Sequence, residues 1–285
     1  MKKIRKLVIP VAGMGTRFLP VTKSVPKEML PLVDVPTIQV LLNEAKDAGI
    51  EEVLFITSGT KNSIVSHFDI DYELEDKLNK SGKTKQLEEI QKLPKMMKIF
   101  SIRQGQPFGS GHAVGLAKSW VGDEPFAVMY GDDIIKGGCA LKELIEVYEK
   151  YDTNVIGVQE VPHELTYKYG IVSLKDEETL EMSGLVEKPK VEDAPSNLAG
   201  LGRYILKPEI FYELEHLSKG AGGEYQLTDG MAELMKKQSF HACRFSGTYY
   251  DIGSQLGYVK ANIMYALDRE ELRDDLLEFM KNIQK

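Results

Sequence analysis

Two short stretches carry residue types suited to phosphate chemistry: Val11-Ala12-Gly13-Met14-Gly15-Thr16-Arg17 and Pro26-Lys27-Glu28-Met29-Leu30-Pro31. Gly13 and Gly15 let a backbone turn tightly and approach a ligand with no Cβ in the way. Successive N–H groups in such a turn form an anion-binding concavity, and Arg17 adds a planar, permanently charged fork. A dinucleotide fingerprint would need a third glycine at position 18, which is Phe18, and the Gly-x4-Gly-Lys-Ser/Thr spacing of a Walker loop does not begin at Gly13 or Gly15. A plain strand-to-loop turn would account for Gly-x-Gly alone. Arg17 and Lys27 go beyond it, and residues 12–17 read as a phosphate cradle after a strand.

The acidic candidates are Asp132, in Gly131-Asp132-Asp133, and Asp251, in Tyr249-Tyr250-Asp251-Ile252-Gly253. Either alone is equally a capping aspartate. Beside a phosphate cradle the two favour Mg2+, which takes one or two protein carboxylates and fills its shell with phosphate oxygens and water. The five histidines and two cysteines show no zinc-like spacing. Lys188, between Glu187 and Pro189, reads either as part of a solvated turn or as a rigid ammonium–carboxylate pair for phosphate and hydroxyls; spacing leaves both open. No Gly-x-Ser-x-Gly elbow and no suggestive Cys or His frame supplies a nucleophile. That fits a substrate that brings its own: a sugar 1-phosphate, with a second pKa of about 6, is mostly a dianion at neutral pH. The protein would then supply positioning and charge neutralisation.

The elements that must hold these residues alternate. Leu7-Val8-Ile9-Val11, Val53-Leu54-Phe55-Ile56, 98–102 and 125–130 read as strands, and between them Ile38, Leu41, Leu42 and Ala45 keep a helical stripe. Residues 61–95 break the rhythm as a charged helical insertion, read as a lid or subunit contact. The pattern turns mixed after Asn154, with Thr228 or Asp229 as a helix cap, and two amphipathic helices follow Ser254. Such alternation predicts an α/β fold of Rossmann-like type: a mixed, mostly parallel sheet flanked by helices, with ligands at the strands' carboxyl ends. Loops 12–17, 104–111 and 131–133 converge there. One domain is expected over 1–285, with a first half at 1–150, a second at 151–253 and C-terminal helices at 254–285. A net charge of −7 argues against nucleic-acid and anionic-membrane partners. No apolar run is long enough to span a bilayer, and two cysteines without a disulfide framework suit the cytoplasm.

Taken together, Ala12–Arg17, Pro26–Pro31, Gly131-Asp132-Asp133, Glu187-Lys188-Pro189 and Tyr250-Asp251-Ile252-Gly253 resemble the signature of the sugar-1-phosphate nucleotidylyltransferases. Gly223–Asp229 and the 61–95 insertion are most similar to the bacterial UTP–glucose-1-phosphate uridylyltransferases, with Tyr225 a departure from the pattern. The resemblance implies a reaction of UTP with glucose 1-phosphate to give UDP-glucose and pyrophosphate. It implies that Ala12, Gly13, Gly15 and Thr16 hold the nucleotide, with Gln104 and Gly109 at the uracil edge. Arg17 would meet the departing pyrophosphate, Lys27 the reacting phosphates and Lys188 the sugar phosphate. Glu187, Gly170 and Asp133 would face the sugar, and Asp132 and Asp251 would hold Mg2+. A homodimer or homotetramer is expected by analogy. The alternative is a thymidylyltransferase preferring dTTP.

Overall fold

The computed structural model describes residues 1–283. Strand β1 (Lys6–Pro10) leads through the glycine loop and three single turns of 3-10 helix to a small ribbon, β2 (Pro31–Leu32) and β3 (Val35–Pro36). Helix α1 (Thr37–Asp47) buries Ile38, Leu41, Leu42 and Ala45 and ends ahead of Gly49, whose φ of 84° suits a residue without a Cβ. After β4 (Glu52–Thr57) the insertion forms α2 (Asn62–Ser66), α3 (Tyr72–Lys80) and α4 (Thr84–Lys92). Neither α3 nor α4 buries a residue.

Strand β5 (Lys98–Arg103) is followed by two short helices, α5 (Ser110–Gly115) and α6 (Lys118–Val121). Then come β6 (Phe126–Met129), β7 (Asp133–Lys136), α7 (Ala140–Tyr151) and β8 (Asn154–Glu160). A hairpin of β9 (Gly170–Asp176) and β10 (Glu181–Glu187) precedes β11 (Leu198–Leu206), α8 (Ile210–Glu215), α9 (Leu227–Met235) and β12 (Phe240–Arg244). Last are β13 (Thr248–Asp251), α10 (Gln255–Leu267) and α11 (Glu270–Ile283). The residue capping α9 is Gln226, not Thr228 or Asp229.

Nine strands form one sheet in the order β5-β4-β1-β6-β11-β8-β12-β10-β9. The run β5-β4-β1-β6 is parallel, as is β8 with β12. Strand β11 runs antiparallel to both β6 and β8, and β10 antiparallel to β12 and β9. The sheet is therefore mixed, its long parallel run confined to the first half. Strands β9 and β10 are joined by a tight turn, which only antiparallel neighbours allow.

Side chains alternate between two cores. Leu7 and Ile9 of β1 join Val53 and Phe55 on the face covered by α1 and α7. Val8, Leu54 and Ile56 point to the other, beneath α5, α6, α8 and α9. A sheet buried on both faces sends its polar loops off the strand ends. Among the described residues no helix is long and apolar enough to cross a membrane.

Candidate active site

Two cavities open along the carboxyl edge of the parallel run. The smaller, of about 340 Å3, is lined by Ala12, Gly13, Lys27, Thr60, Lys61 and Gln104 among others. The larger, of about 670 Å3, takes in Arg17, Asp132, Asp133, Gly170, Glu187, Lys188 and Asp251. Lys27 and Asp132 stand between them: Lys27 Nζ donates to Asp132 Oδ2.

At the glycine loop, the N–H groups of Ala12, Gly13 and Met14 make no hydrogen bond among the described residues, and Gly13 and Met14 are exposed. Gly15 lies in the left-handed region at φ 66°, and its carbonyl accepts from the Thr22 hydroxyl at 2.8 Å. Gly15 and Thr16 shape the loop but line neither cavity. Arg17 swings away from the smaller cavity, its guanidinium 3.9 Å from Asp251 Oδ2.

Burial alone would lower the Lys27 ammonium, but Asp132 and then Glu28 outweigh it and hold Lys27 above the ordinary lysine value. Burial likewise opposes ionisation of Asp132, and Lys27 overcomes it, keeping this carboxyl below its usual range. Behind Lys27 lies a pair that the sequence did not single out. Glu28 is 1% exposed and takes both its oxygens to Lys61 Nζ, at 2.9 and 2.8 Å. Burial pushes Glu28 up and Lys61 down.

Strands β7 and β13 pair antiparallel with Asp133 opposite Asp251, which brings three carboxyl groups to one place. Asp133 Oδ1 accepts from Tyr249 Oη at 2.7 Å. Burial, and then the Asp132 charge, push Asp133 up to about 7. A Cβ on Gly202 would lie 1.9 Å from Asp133 Oδ2, so the carboxyl sits where only glycine leaves room. A Cβ on Gly253 would meet Asp132 Oδ2 at 2.7 Å, Arg17 Nη2 at 2.9 Å and Asp251 Oδ1 at 3.0 Å. Those two carboxylate oxygens thus converge on one point. An all-oxygen donor pair suits a hard dication, and no group of three or more His, Cys, Asp or Glu among the described residues could hold a metal unaided. The residues fit a metal that shares its shell with phosphate.

Across the larger cavity, Glu187 ends β10 opposite Gly170 of β9. Its Oε2 accepts from Thr228 Oγ1 at 2.7 Å, and its Oε1 lies 3.2 Å from Lys188 Nζ. A side chain on Gly170 would press on Thr228 at 2.9 Å and on Glu187 at 3.2 Å. Lys188 adopts φ 45°. Non-glycine residues rarely hold that conformation outside functional or tightly determined positions. Lys188 and Glu187 thus stand together on the wall of the larger cavity, the lysine side chain half exposed.

Gln104 is buried beside the smaller cavity, while Gly109 lies off its lining, with φ 112° and a Cβ position only 2.5 Å from the Tyr225 carbonyl oxygen. The structure thus brings the sequence-derived residues to one edge, Gly15, Thr16 and Gly109 as its framework. Thr228 and Tyr249, polar partners of Glu187 and Asp133, carried no sequence signal beyond their place in quoted motifs.

A Nucleotidyl transferase family model matches residues 6–267. A UTP–glucose-1-phosphate uridylyltransferase of Bacillus subtilis (strain 168) is 48% identical over 286 residues, covering 99% of this chain and 98% of that one. The chain belongs to the nucleotidyl transferase family, on its UTP–glucose-1-phosphate uridylyltransferase branch. A solved structure of UTP-bound UGPase from Acinetobacter baumannii superposes on this family member with a TM-score of 0.88, at 41% identity over 99% of each chain. A glucose-1-phosphate thymidylyltransferase structure from Bacillus anthracis gives a TM-score of 0.73 at 21% identity, covering 95% and 96% of the two chains, a likeness of fold alone.

Proposed function

We propose that the chain transfers the uridylyl group of UTP to glucose 1-phosphate, giving UDP-glucose and pyrophosphate. The observation that carries this reading is the pair of cavities joined at Lys27 and Asp132, one beside a free backbone N–H cradle and one walled by hydroxyl-binding groups. A triphosphate laid on the 12–17 loop presents its α-phosphorus at that junction. A phosphate oxygen of glucose 1-phosphate forms a bond to the α-phosphorus as the bond to the β-phosphate oxygen breaks, and its electron pair leaves with pyrophosphate. In-line geometry and charge neutralisation supply the catalysis, with no protein nucleophile.

In this reading Lys27 moves its charge from Asp132 to the reacting phosphates, and Arg17 meets the departing pyrophosphate. Lys188 holds the sugar phosphate, Glu187 accepts from glucose hydroxyls, and Gly170 and Asp133 complete the sugar wall. Asp132 and Asp251 would hold Mg2+, which supplies Lewis-acid neutralisation of phosphate charge when bound. Exposed apolar residues on the last two helices, Leu256 and Val259 of α10 and Phe279 of α11, support a homodimer or homotetramer. Two free thiols support the cytoplasm.

The test is pyrophosphate release from UTP with and without glucose 1-phosphate. Release only when both are present, with no isotope exchange between pyrophosphate and UTP in the absence of the sugar phosphate, is expected. Exchange without the sugar would mean a covalent enzyme intermediate and would sink the mechanism. Comparing kcat/KM for UTP and dTTP decides between uridylyl and thymidylyl transfer.

A further inference from the structure

The two carboxylates whose oxygens converge beside Gly253 lie on different segments. Asp132 belongs to the turn between β6 and β7, and Asp251 ends β13. Strands β7 and β13 pair with each other as a ribbon of four residues a side, outside the nine-stranded sheet. A two-stranded ribbon is marginally stable by itself. Its position at the site must therefore be set by ties to the main sheet.

Arg203 of β11 makes the principal tie. Its side chain is wholly buried, and Nη2 donates to the carbonyl oxygen of Asp133, the first residue of β7, at 2.8 Å. Nε and Nη2 also donate to Oε1 and Oε2 of Glu44 on α1, at 3.2 and 2.8 Å, and Nη1 to the Gly202 carbonyl oxygen at 3.3 Å. Glu44 is held in turn: its Oε1 accepts from the Leu141 N–H in the first turn of α7 at 3.1 Å. The Gly202 carbonyl oxygen accepts from the Tyr130 N–H at 2.9 Å, and that of Asp132 from the Ile252 N–H at 3.0 Å. The turn that presents Asp132 is thereby fixed at residues 130, 132 and 133. Space for the arginine stem comes from β8, where a Cβ on Gly157 would lie 3.2 Å from Arg203 Cβ.

Neither Arg203 nor Glu44 lines either cavity. As a device for stability alone the pair gains little, because burying two charges costs solvation that well-packed apolar side chains avoid. What an apolar chain cannot supply is a planar fork of donors joining a helix carboxylate to two main-chain carbonyls. We propose that Arg203 is a positioning residue: by gripping the Asp133 main chain it fixes β7, and with it the meeting of Asp132 and Asp251 on a dication. The inference rests on the reading in which those two carboxylates hold Mg2+ beside the phosphates of UTP. Outer partners that orient metal ligands typically carry about 10- to 100-fold of a site's metal affinity.

The experiment is calorimetric titration of UTP into the protein in Mg2+ and in EDTA, without glucose 1-phosphate. The ratio of the two affinities reads the metal's contribution with no turnover. Arg203→Lys keeps a charge opposite Glu44, but one ammonium cannot span all three partners. It should shrink the ratio at least about tenfold, leave UTP affinity in EDTA unchanged, and raise the Mg2+ needed for half-maximal turnover without changing KM for glucose 1-phosphate. Should the lysine variant fail to fold, the double variant Glu44→Gln, Arg203→Met removes both charges and must give the same result. Leu144→Ala, in the α7 core away from both cavities, should lower stability and leave the ratio intact. A ratio that survives the loss of the arginine, or that shrinks equally in Leu144→Ala, overturns the positioning role and leaves the metal reading standing. A wild type in which Mg2+ does not tighten UTP overturns the metal reading and the inference with it.

Discussion

Lys188 holds a left-handed backbone with its amide donating to the Tyr169 carbonyl at 2.9 Å and its side chain beside Glu187. Such a conformation costs about 1 to 3 kcal/mol and persists where surrounding contacts determine it. Replacing the side chain while keeping the backbone should therefore remove charge and little else. Lys188→Ala is expected to raise KM for glucose 1-phosphate by about a hundredfold, as for a lost charged hydrogen bond, while KM for UTP moves much less. Equal losses on both substrates would contradict its placement on the sugar phosphate. The Glu28–Lys61 pair makes a different prediction. Removing one member strands a buried charge, so Lys61→Met should lower unfolding stability by about 3 to 5 kcal/mol in urea titrations. The double variant Glu28→Gln, Lys61→Met should recover much of that. Arg17, Lys27, Asp132 and Asp251 were legible in the sequence because each lies inside a short motif with a chemical meaning. Lys61 was not, because its partner is 33 residues away and it opens a stretch whose composition reads as surface. Thr228 to Glu187 spans 41 positions and Tyr249 to Asp133 spans 116, distances no local pattern crosses.

Elements bring those distant partners together by register. The pairing of β7 with β13 sets Asp133 against Asp251, and a slip of one residue would turn one of them away from the cavity. Strand β7 was hidden because it is four residues long and begins at Asp133, inside an aspartate pair that reads as loop. Strand β10 was likewise hidden, because only Met182 and Leu185 of it are buried and the rest of its residues are partly or fully open to solvent. By contrast β1, β4 and β6 were plain, since strands buried on both sides are apolar throughout. At the opposite end of the parallel run, Arg5 and Lys6 at the start of β1 converge on Glu124 just before β6, at 2.6 and 2.8 Å. Arg5, then Lys6, hold the Glu124 carboxyl at about 2 instead of its usual 4.5. The folded chain therefore binds this proton less readily than the unfolded one. The contribution is complete above pH 4.5 and disappears as pH falls toward 2. Glu124→Gln should flatten the acid side of a stability-versus-pH curve and leave the alkaline side unchanged; an unaltered acid limb would show the cluster to be without effect.

For the molecule as a whole, strand order matters more than strand number. The two halves of the one domain expected from the sequence, up to residue 150 and beyond it, share a sheet. Strand β11 lies between β6 of the first half and β8 of the second, with ladders to each. The wall of the larger cavity on one side and the glycine loop on the other thus hang from one continuous sheet. Calorimetry should show a single unfolding transition with equal calorimetric and van't Hoff enthalpies, and two resolved transitions would argue for two domains. Light scattering after size exclusion should report a multiple of the 32.0 kDa chain mass if the exposed faces of α10 and α11 meet in a second copy. The same strand order bears on how the chain is made. On the ribosome, β1, β4, β5 and β6 are translated long before β11, so the apolar edge Phe126–Met129 waits unpaired until residues 198–206 have emerged. An open edge of that kind is an invitation to pair with another chain. Nascent chains stalled between residues 150 and 198 should be the species that engage chaperones most strongly, and slowing translation across that interval should lower the yield of soluble protein.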